Sequence, residues 1–473
     1  MLKLAVAAAA VLSAAVLLNL GRGSTSRVGP PPPTPLHHQE TVAAATDLPD
    51  PVSSLRSEPV TASPQTAAPE AVPAPLSASP GPAQTPLPGA TSDPAAWAEL
   101  PAEDTAPVFP SPVKGVWVHV LDDTLLTRRS IDTMLDDVAA AGGNTVVVEV
   151  ARRYDAYYDS AFLPRAGDEG FEPGLDVLAT IAEGARERGL SVHAWFTAMP
   201  LWTPETAKNP NAVNWTYAEH GPDAAAADTW VTLNEEGEPG EYLDPGHPAV
   251  QDLVVATAAE LATYDIDAVH LDYLRYPGVE YGYNPTALRR FFAETGRSDI
   301  PDPNDVQFSD WRRQQTTAIL HRVRDAVTAV NPAVGVSAAL VAWGEGPNAA
   351  RPFQATAAYA TVFQPWNEWL ADGLLDVAMP MLYFADGEHA AYHGDWLAYV
   401  ADLRTATGVV TAPGQGSWLN DIDGSVRQLQ HAAPMVDGEV LFSYQQTTAG
   451  EESQALLDVL KQGLWATTAP AES

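Results

Sequence analysis

The sequence contains no cysteine, and this absence excludes several kinds of site together. A chain without thiols forms no disulfides, offers no cysteine ligands to zinc and has no cysteine nucleophile. Basic residues are also scarce, because 25 lysines and arginines stand against 60 aspartates and glutamates, for a net charge of −35. A surface of this sign repels phosphates, so we expect no nucleic-acid partner and no electrostatic attachment to anionic lipid.

Two motifs are missing as well. No glycine-rich nucleotide fingerprint follows any predicted strand, which argues against an open dinucleotide-binding sheet. No close-spaced pair of metal ligands is present, although His119, His193 and His270 fall on three different predicted strands and leave a histidine zinc site as a minor alternative. We therefore expect neither a cofactor nor a bound metal.

The N-terminal quarter has a composition unlike the rest. Residues 1–23 place Lys3 before an apolar run from Leu4 to Leu20, which predicts a signal peptide or an N-terminal membrane anchor and hence an exported protein of the cell envelope or the extracellular space. Residues 24–111 are rich in Pro, Ala, Ser and Thr. Such a segment has too little apolar area to fold, so it predicts a disordered linker.

From residue 112 to residue 467 short apolar runs alternate with amphipathic helical patterns, which is typical of βαβ units. The predicted strands are 115–120, 144–150, 190–198, 267–273, 334–343, 376–384, 408–418 and 439–446. Eight such units predict an α/β protein of the closed (β/α)8 TIM-barrel class with loop insertions. The longest insertion, about 198–247, holds several aromatic residues and is predicted to form a wall of a binding cleft.

Chemistry in such a barrel lies at the C-terminal ends of the strands, and here those ends carry carboxylates, arginines and aromatic residues. Sugar rings stack their C–H faces on Trp and Tyr, and their hydroxyls pair with polar side chains. Cleavage of a glycosidic bond needs two carboxyl groups. The 13 tryptophans suit a carbohydrate groove, although Trp is also a common core residue.

Seven blocks of the sequence resemble, in order and spacing, those of the glycosyl hydrolase-like 10 family. They are "GVWVHV", "NTVVVEVARRYDAYYDS", "GLSVHAWF", "YLDPGHPAVQDLV", "DAVHLDYLRYP", "YATVFQPWNEWL" and "DVAMPMLYF", within residues 112–446. The resemblance implies an exported bacterial TIM barrel that hydrolyses a polysaccharide, such as a cell-wall glycan. Many members have a second acid directly after the strand-4 aspartate, whereas this chain has Tyr273 after Asp272.

We predict a glycoside hydrolase in which Asp272 is the nucleophile or an orienting carboxylate and Glu149, or else Glu345, is the acid. The predicted substrate-binding residues are Arg152, Asp155, His193, Trp195, Trp202, His270, Arg275, Trp343, Tyr383, Asp386, Gln415 and Trp418.

Each candidate also has a structural interpretation. Asp272 and Glu149 could be paired with arginines, Glu345 and Asp386 merely solvated, Asp155 a helix cap, and the histidines part of the core. At the level of function, a non-catalytic carbohydrate-binding barrel and a metal-dependent hydrolase or deacetylase of glycans remain as alternatives.

Overall fold

The computed structural model describes residues 106–201, 215–446 and 454–466. The predicted export segment 1–23, the part of the predicted linker before residue 106, and Trp202 lie outside the described residues. Among the helices that are described, none combines the length and the apolar composition needed to span a bilayer.

Within the described residues, twelve strands form a closed barrel and two small antiparallel additions. In chain order they are β1 (Val113–Val118), β2 (Thr145–Arg152), β3 (Asp155–Ala156), β4 (Ser191–Thr197), β5 (Val231–Leu233), β6 (Pro239–Leu243), β7 (Ala268–Asp272), β8 (Gly335–Leu340), β9 (Val377–Leu382), β10 (Val410–Thr411), β11 (Gly414–Gly416) and β12 (Gly438–Phe442).

The barrel closes because β1 pairs in parallel with both β2 and β12. Around it the strand order is β1, β2, β4, β7, β8, β9, then β10 with β11, then β12, and every neighbouring pair is parallel. This confirms the predicted eight-stranded α/β barrel. The short β3 pairs antiparallel with β2, and β5 pairs antiparallel with β6 inside the long insertion.

The α-helices pack outside the barrel or in its insertions. They are α1 (Arg128–Ala140), α2 (Val177–Arg188), α3 (Trp215–His220), α4 (Pro248–Leu261), α5 (Pro285–Thr295), α6 (Val306–Val330), α7 (Ala357–Ala360), α8 (Trp366–Ala371), α9 (Ala390–Thr407), α10 (Ile422–Ala432) and α11 (Gln454–Gln462). Their ends follow local chemistry: α6 starts where the Asp305 carboxylate accepts the Phe308 N–H, and α2 ends at Gly189 with φ of 67°.

The seventh predicted strand, 408–418, differs from the observed structure. It is divided into β10 and β11, because Pro413 has no N–H to give to the ladder. The two pieces keep the same place in the barrel: β10 pairs with the beginning of β9, and β11 pairs with the end of β9 and with β12.

The barrel interior is filled by apolar side chains, including those of Val113, Trp117, Trp195 and Met379. Phe109, which the sequence assigns to the linker, packs partly buried against this cluster, with its ring 5.6 Å from that of His193. It lies at the N-terminal ends of the strands, beside Gly335, the first residue of β8. The barrel is therefore covered at this end by residues that precede β1.

Candidate active site

Asp272 and Glu149 lie toward the C-terminal ends of neighbouring barrel strands. Asp272 is the last residue of β7 and is in register with Thr197 of β4, while Glu149 of β2 is in register with Trp195 of the same β4. Since adjacent strands lie about 4.8 Å apart, the backbones of β2 and β7 are separated by roughly 10 Å here. At this separation the Glu149 charge makes a small contribution to raising the pKa of Asp272.

The Asp272 carboxyl group is buried, with 7 % of the residue exposed. Within the described chain it accepts one hydrogen bond, from the Tyr273 backbone N–H to Oδ1 at 2.7 Å. Burial raises the pKa of Asp272 to about 7, against the opposing effects of the Arg275 charge and the Tyr273 N–H. A carboxyl group with this pKa is partly protonated at neutral pH, which is the condition for a general acid.

Glu149 is fully buried and held on both oxygens. Its Oε1 accepts a hydrogen bond from Arg152 Nη1 at 2.6 Å, and its Oε2 accepts one from the Val120 N–H at 3.1 Å. Burial lowers the pKa of Arg152, but the Glu149 charge and hydrogen bond outweigh it, so that the pKa is raised overall. This is the arginine pairing that the sequence left open as an alternative.

Left-handed backbone conformations follow both carboxylate-bearing strands. The φ angles are 53° at Arg153, 65° at Tyr154 and 56° at Tyr273, values that non-glycine residues adopt rarely. Hydrogen bonds to the end of β4 hold the first two residues in place. The Arg153 N–H donates to Thr197 Oγ1 at 3.2 Å, and the Tyr154 hydroxyl donates to the carbonyl of Ala198, the residue after β4. These residues change the direction of the chain sharply beside the two carboxylates. The sequence pattern did not predict this feature.

Arg275 lies against three aromatic rings. Its guanidinium carbon is 4.7 Å from the ring centroid of Tyr273, 4.9 Å from that of Trp343 and 5.6 Å from that of Tyr242. Trp343 was a predicted binding residue, whereas Tyr242 and Tyr273 were not. Tyr242 comes from β6, so the long insertion does reach the strand ends, as its aromatic content had indicated.

Tyr383 and Trp418 form a second aromatic group with Phe442. The Tyr383 ring centroid is 4.9 Å from that of Trp418 and 5.4 Å from that of Phe442. The pKa of Tyr383 is well above its usual value because of burial and, next, because of the Asp272 charge. Gln415 is buried below, where its Nε2 donates to Gln428 Oε1 at 3.0 Å.

His193, His270 and Trp195 lie inside the barrel and not in a cleft. Trp117 Nε1 donates to His270 Nε2 at 3.3 Å, so His270 carries its proton on Nδ1 and donates it to Ser337 Oγ at 2.9 Å. The Ser337 hydroxyl then donates to His193 Nδ1, also at 2.9 Å. Burial lowers the pKa of His193 to about 3, and burial together with the neighbouring His193 lowers that of His270 well below its usual value. Both rings are neutral, and this placement supports their core interpretation over the predicted contact with substrate.

Three other candidates have local partners. Glu345 is exposed and pairs with Arg351 at 3.1 Å, and Asp386 pairs with Arg427 at 2.7 Å, so their solvated or paired interpretations fit better. Asp155 stands opposite Arg152 in the β2–β3 pairing. In the described ranges no group of three or more His, Asp or Glu side chains is arranged to hold a metal ion.

Comparison with known proteins agrees with this fold and arrangement. The chain is 28 % identical over 278 residues to glycosyl hydrolase YngK of Bacillus subtilis (strain 168), across 56 % of this chain and 51 % of that protein. It therefore spans about half the length of that relative. It is 26 % identical over 393 residues to glycosyl hydrolase DigH of Escherichia coli (strain K12), across 73 % of this chain and 86 % of that protein.

Solved structures with the same fold include the PgaB (BpsB) glycoside hydrolase domain from Bordetella bronchiseptica, with a TM-score of 0.53, 17 % identity and coverage of 74 % of this chain and 99 % of that one. The catalytic domain of a β-amylase from Paenibacillus polymyxa matches with a TM-score of 0.51, 14 % identity and coverage of 75 % of this chain and 100 % of that one. At these identities the likeness shows the barrel fold alone. The glycosyl hydrolase-like 10 family profile matches residues 112–405, and the chain belongs to that family.

Proposed function

We propose that this protein hydrolyses O-glycosidic bonds in a polysaccharide, with bacterial cell-wall glycan as the first substrate to test. The observation that carries the proposal is the Asp272 carboxyl group, whose pKa of about 7 suits a general acid and whose strand end adjoins aromatic surfaces. Membership of a glycosyl hydrolase-like family and relatives named glycosyl hydrolases support the same reaction class.

The two carboxyl groups exchange the roles that the sequence suggested. Asp272 is proposed as the acid that protonates the leaving oxygen, because its burial keeps the proton at neutral pH. Glu149 has no exposed surface, and both of its oxygens are engaged by Arg152 and the Val120 N–H, so it is a poor candidate for the acid that must reach the leaving oxygen. It is proposed instead as the positioning carboxylate, which fixes Arg152 and adds negative charge near the positive charge that develops on the sugar ring.

The aromatic groups are proposed to hold the sugar. Trp343 lies beside Arg275, and Trp418 packs with Tyr383, whose pKa the Asp272 charge helps to raise. All three rings are half-buried, so each keeps some surface for stacking. They are the flat apolar surfaces proposed to bind the sugar near the acid.

Product analysis tests the proposal. The wild-type protein and its Asp272→Asn variant would be incubated with peptide-free peptidoglycan glycans, chitin oligosaccharides and plant β-glucans, with and without EDTA. We expect new reducing ends from at least one substrate, insensitivity to EDTA, and at least about a hundredfold loss of kcat in the variant, in line with removal of a general acid. Asp252→Asn, which changes an exposed carboxylate paired with Arg322, is the matched control.

Other outcomes point to the alternatives. Binding of a glycan without new reducing ends would favour a non-catalytic carbohydrate-binding barrel. Release of acetate that EDTA abolishes would favour a metal-dependent deacetylase. Full activity in Asp272→Asn would show that Asp272 is not the general acid.

We also propose that residues 1–23 direct export, as their composition predicts. Fractionation of cells that express the full chain and a chain beginning at residue 24 tests this. The full chain is expected outside the cytoplasm or in the envelope, and recovery of both chains in the cytoplasm would contradict it.

A further inference from the structure

Arg275 is a buried cation without an anionic partner in the described chain. The residue is 7 % exposed, and no carboxylate of the described residues lies within 4.0 Å of its guanidinium nitrogens. Its one hydrogen bond there is a long one, from Nη1 to the Tyr276 carbonyl at 3.4 Å. A guanidinium carries five N–H donors, so most of its capacity is unused.

Two other arginines inside the fold, the nearly buried Arg152 and the fully buried Arg312, have polar partners. Arg152 pairs with Glu149 at 2.6 Å. Arg312 donates to the carbonyl oxygens of Val279 and Tyr281, both at 2.6 Å, and also to that of Pro303. Since an uncompensated buried charge is costly, these two cases show the usual solutions within this fold. Arg275 has neither.

Aromatic faces take the place of an anion around Arg275. Tyr273, Trp343 and Tyr242 contact the cation through their rings, which stabilises its charge without using any N–H donor. The donors therefore stay available to a group that enters from outside. Arg275 follows Asp272 by three residues, beyond the left-handed turn at Tyr273, and its charge is close enough to lower the pKa of that carboxyl group.

We propose, building on the glycosidase function above, that Arg275 binds a carboxylate of the substrate, and that the substrate class is therefore an acidic glycan. A planar guanidinium matches a carboxylate through two parallel hydrogen bonds, and its position beside Asp272 puts that carboxylate on or next to the sugar at the reacting bond. With a net charge of −35 the protein repels polyanions in general, so a local cation is needed where such a substrate docks. The same chemistry is offered by the ring carboxylate of a uronic acid and by the lactyl carboxylate of muramic acid.

Matched substrate pairs test this inference. One pair is peptide-free peptidoglycan oligosaccharide before and after carbodiimide-mediated reduction of its lactyl carboxyl groups. The other is a glucuronic acid-containing oligosaccharide before and after the same reduction. For the pair that is cleaved, we expect the wild-type KM to be about tenfold or more lower for the carboxylate form, which is the effect of one charge-assisted hydrogen-bonding contact.

Variants assign the preference to Arg275. In Arg275→Gln the ratio of the KM values for the reduced and carboxylate forms is expected to fall to about one. The ratio is the readout because the Arg275 charge also acts on Asp272 and its loss affects both substrates. Circular dichroism checks that the variant folds. Arg275→Lys keeps the charge without the planar pair of donors and should recover part of the preference. Arg322→Gln, on the surface of α6 and paired with Asp252, is the control and should keep the full preference.

Two results would overturn the inference. The first is equal KM values for both members of each pair in the wild-type protein. The second is an Arg275→Gln variant that keeps the preference and only shifts the pH profile on both substrates, which would show that Arg275 acts on Asp272 alone.

Failure of the glycosidase proposal is seen separately. Calorimetric titration of the Asp272→Asn variant with the same four oligosaccharides measures binding without turnover. Preferential binding of a carboxylate form in the absence of any cleavage by the wild-type protein would contradict hydrolysis and support the anion site. Cleavage without any preference for the carboxylate form would support hydrolysis and contradict the anion site.

Discussion

At the scale of single residues, the site combines a carboxyl group whose pKa burial raises to about 7 with one that forms an ion pair with an arginine. Asp272 receives one N–H donor, whereas Glu149 receives a guanidinium and an N–H. Opposite environments for two nearby carboxyl groups are the usual way in which a protein separates an acid from a charged partner. Both environments are detectable as changes of stability with pH or on substitution.

The first prediction concerns Asp272 and pH. Its pKa is about 7 in the folded protein and 3.8 in an ordinary setting. Because the folded value is the higher one, its favourable contribution is complete below pH 4 and is lost as the pH rises through 7. Asp272→Asn should therefore be more stable than wild type at pH 8, by up to ~4 kcal/mol, but not at pH 4.

Urea unfolding of both proteins at pH 4, 6 and 8 measures this difference. A gap in unfolding free energy that does not grow with pH would contradict the protonated state assigned to Asp272. In the wild-type protein, kcat/KM should also fall as the pH rises above 7.

The second prediction concerns the Glu149–Arg152 pair. Arg152→Met leaves a fully buried carboxylate without its cation, and should lower the unfolding free energy by about 3–5 kcal/mol. The double variant with Glu149→Gln removes the orphaned charge and should recover most of that loss. Thermal and urea unfolding of the single and double variants form the required cycle. An additive double variant would show that the two side chains do not depend on each other.

At the scale of elements, the long insertion is organised by one asparagine. Asn284 is fully buried; its Nδ2 donates to the Thr229 and Val231 carbonyls, both at 2.9 Å, and its Oδ1 accepts the Thr286 N–H at the start of α5. The residue thus joins the β5–β6 hairpin to the helix. Tyr242 of that hairpin contacts Arg275, so the position of the hairpin bears on the site.

The third prediction tests this connection. Asn284→Ala removes a helix cap and leaves two buried carbonyl oxygens without their donor, so we expect a loss of about 2–4 kcal/mol in unfolding free energy. Asp305→Ala removes a more exposed cap, that of α6, and should cost only about 1 kcal/mol. Limited proteolysis should also cut the hairpin faster in Asn284→Ala. Equal losses in the two variants would argue against the joining role.

The sequence was sufficient for the barrel and for the position of Asp272, because short apolar runs and strand ends are local features. It was insufficient for partners distant in sequence. Nothing in "DAVHLDYLRYPG" shows that Arg275 meets Tyr242 and Trp343, or that His270 shares Ser337 with His193. Glu345 looked similar to Glu149 as a strand-end acid, and only their partners, Arg351 at the surface and Arg152 inside, distinguish them.

At the scale of the whole molecule, the barrel interior contains polar side chains that must stay uncharged. The Trp117–His270–Ser337–His193 chain uses each donor once, and burial lowers the pKa of both histidines. For a histidine with a lowered folded pKa, the stabilising contribution is complete above its ordinary pKa of 6.5 and is lost as the pH falls. Protonation of these interior histidines should therefore lower the unfolding free energy of the barrel at acidic pH.

The fourth prediction follows. Each of the two histidines should remove about 2 kcal/mol of unfolding free energy between pH 7 and pH 5. The measurement is best made in Asp272→Asn, where the opposite trend of Asp272 is absent. Adding His193→Gln to that background should flatten the dependence on pH in this range. An unchanged slope would mean that His193 is not neutral in the folded barrel.

The position of Phe109 determines which end of the barrel faces a support or a fused domain that is joined to the chain before β1. It covers the end of the barrel where the strands begin, while Asp272 lies where they finish. A bead, a surface or a fused domain joined just before residue 106 is thus tied to the far side of the barrel from the proposed catalytic group. Large insoluble polymers should therefore remain accessible to such an immobilised protein. A tether attached to the β5–β6 hairpin, which contacts Arg275 through Tyr242, would instead obstruct their access to the site.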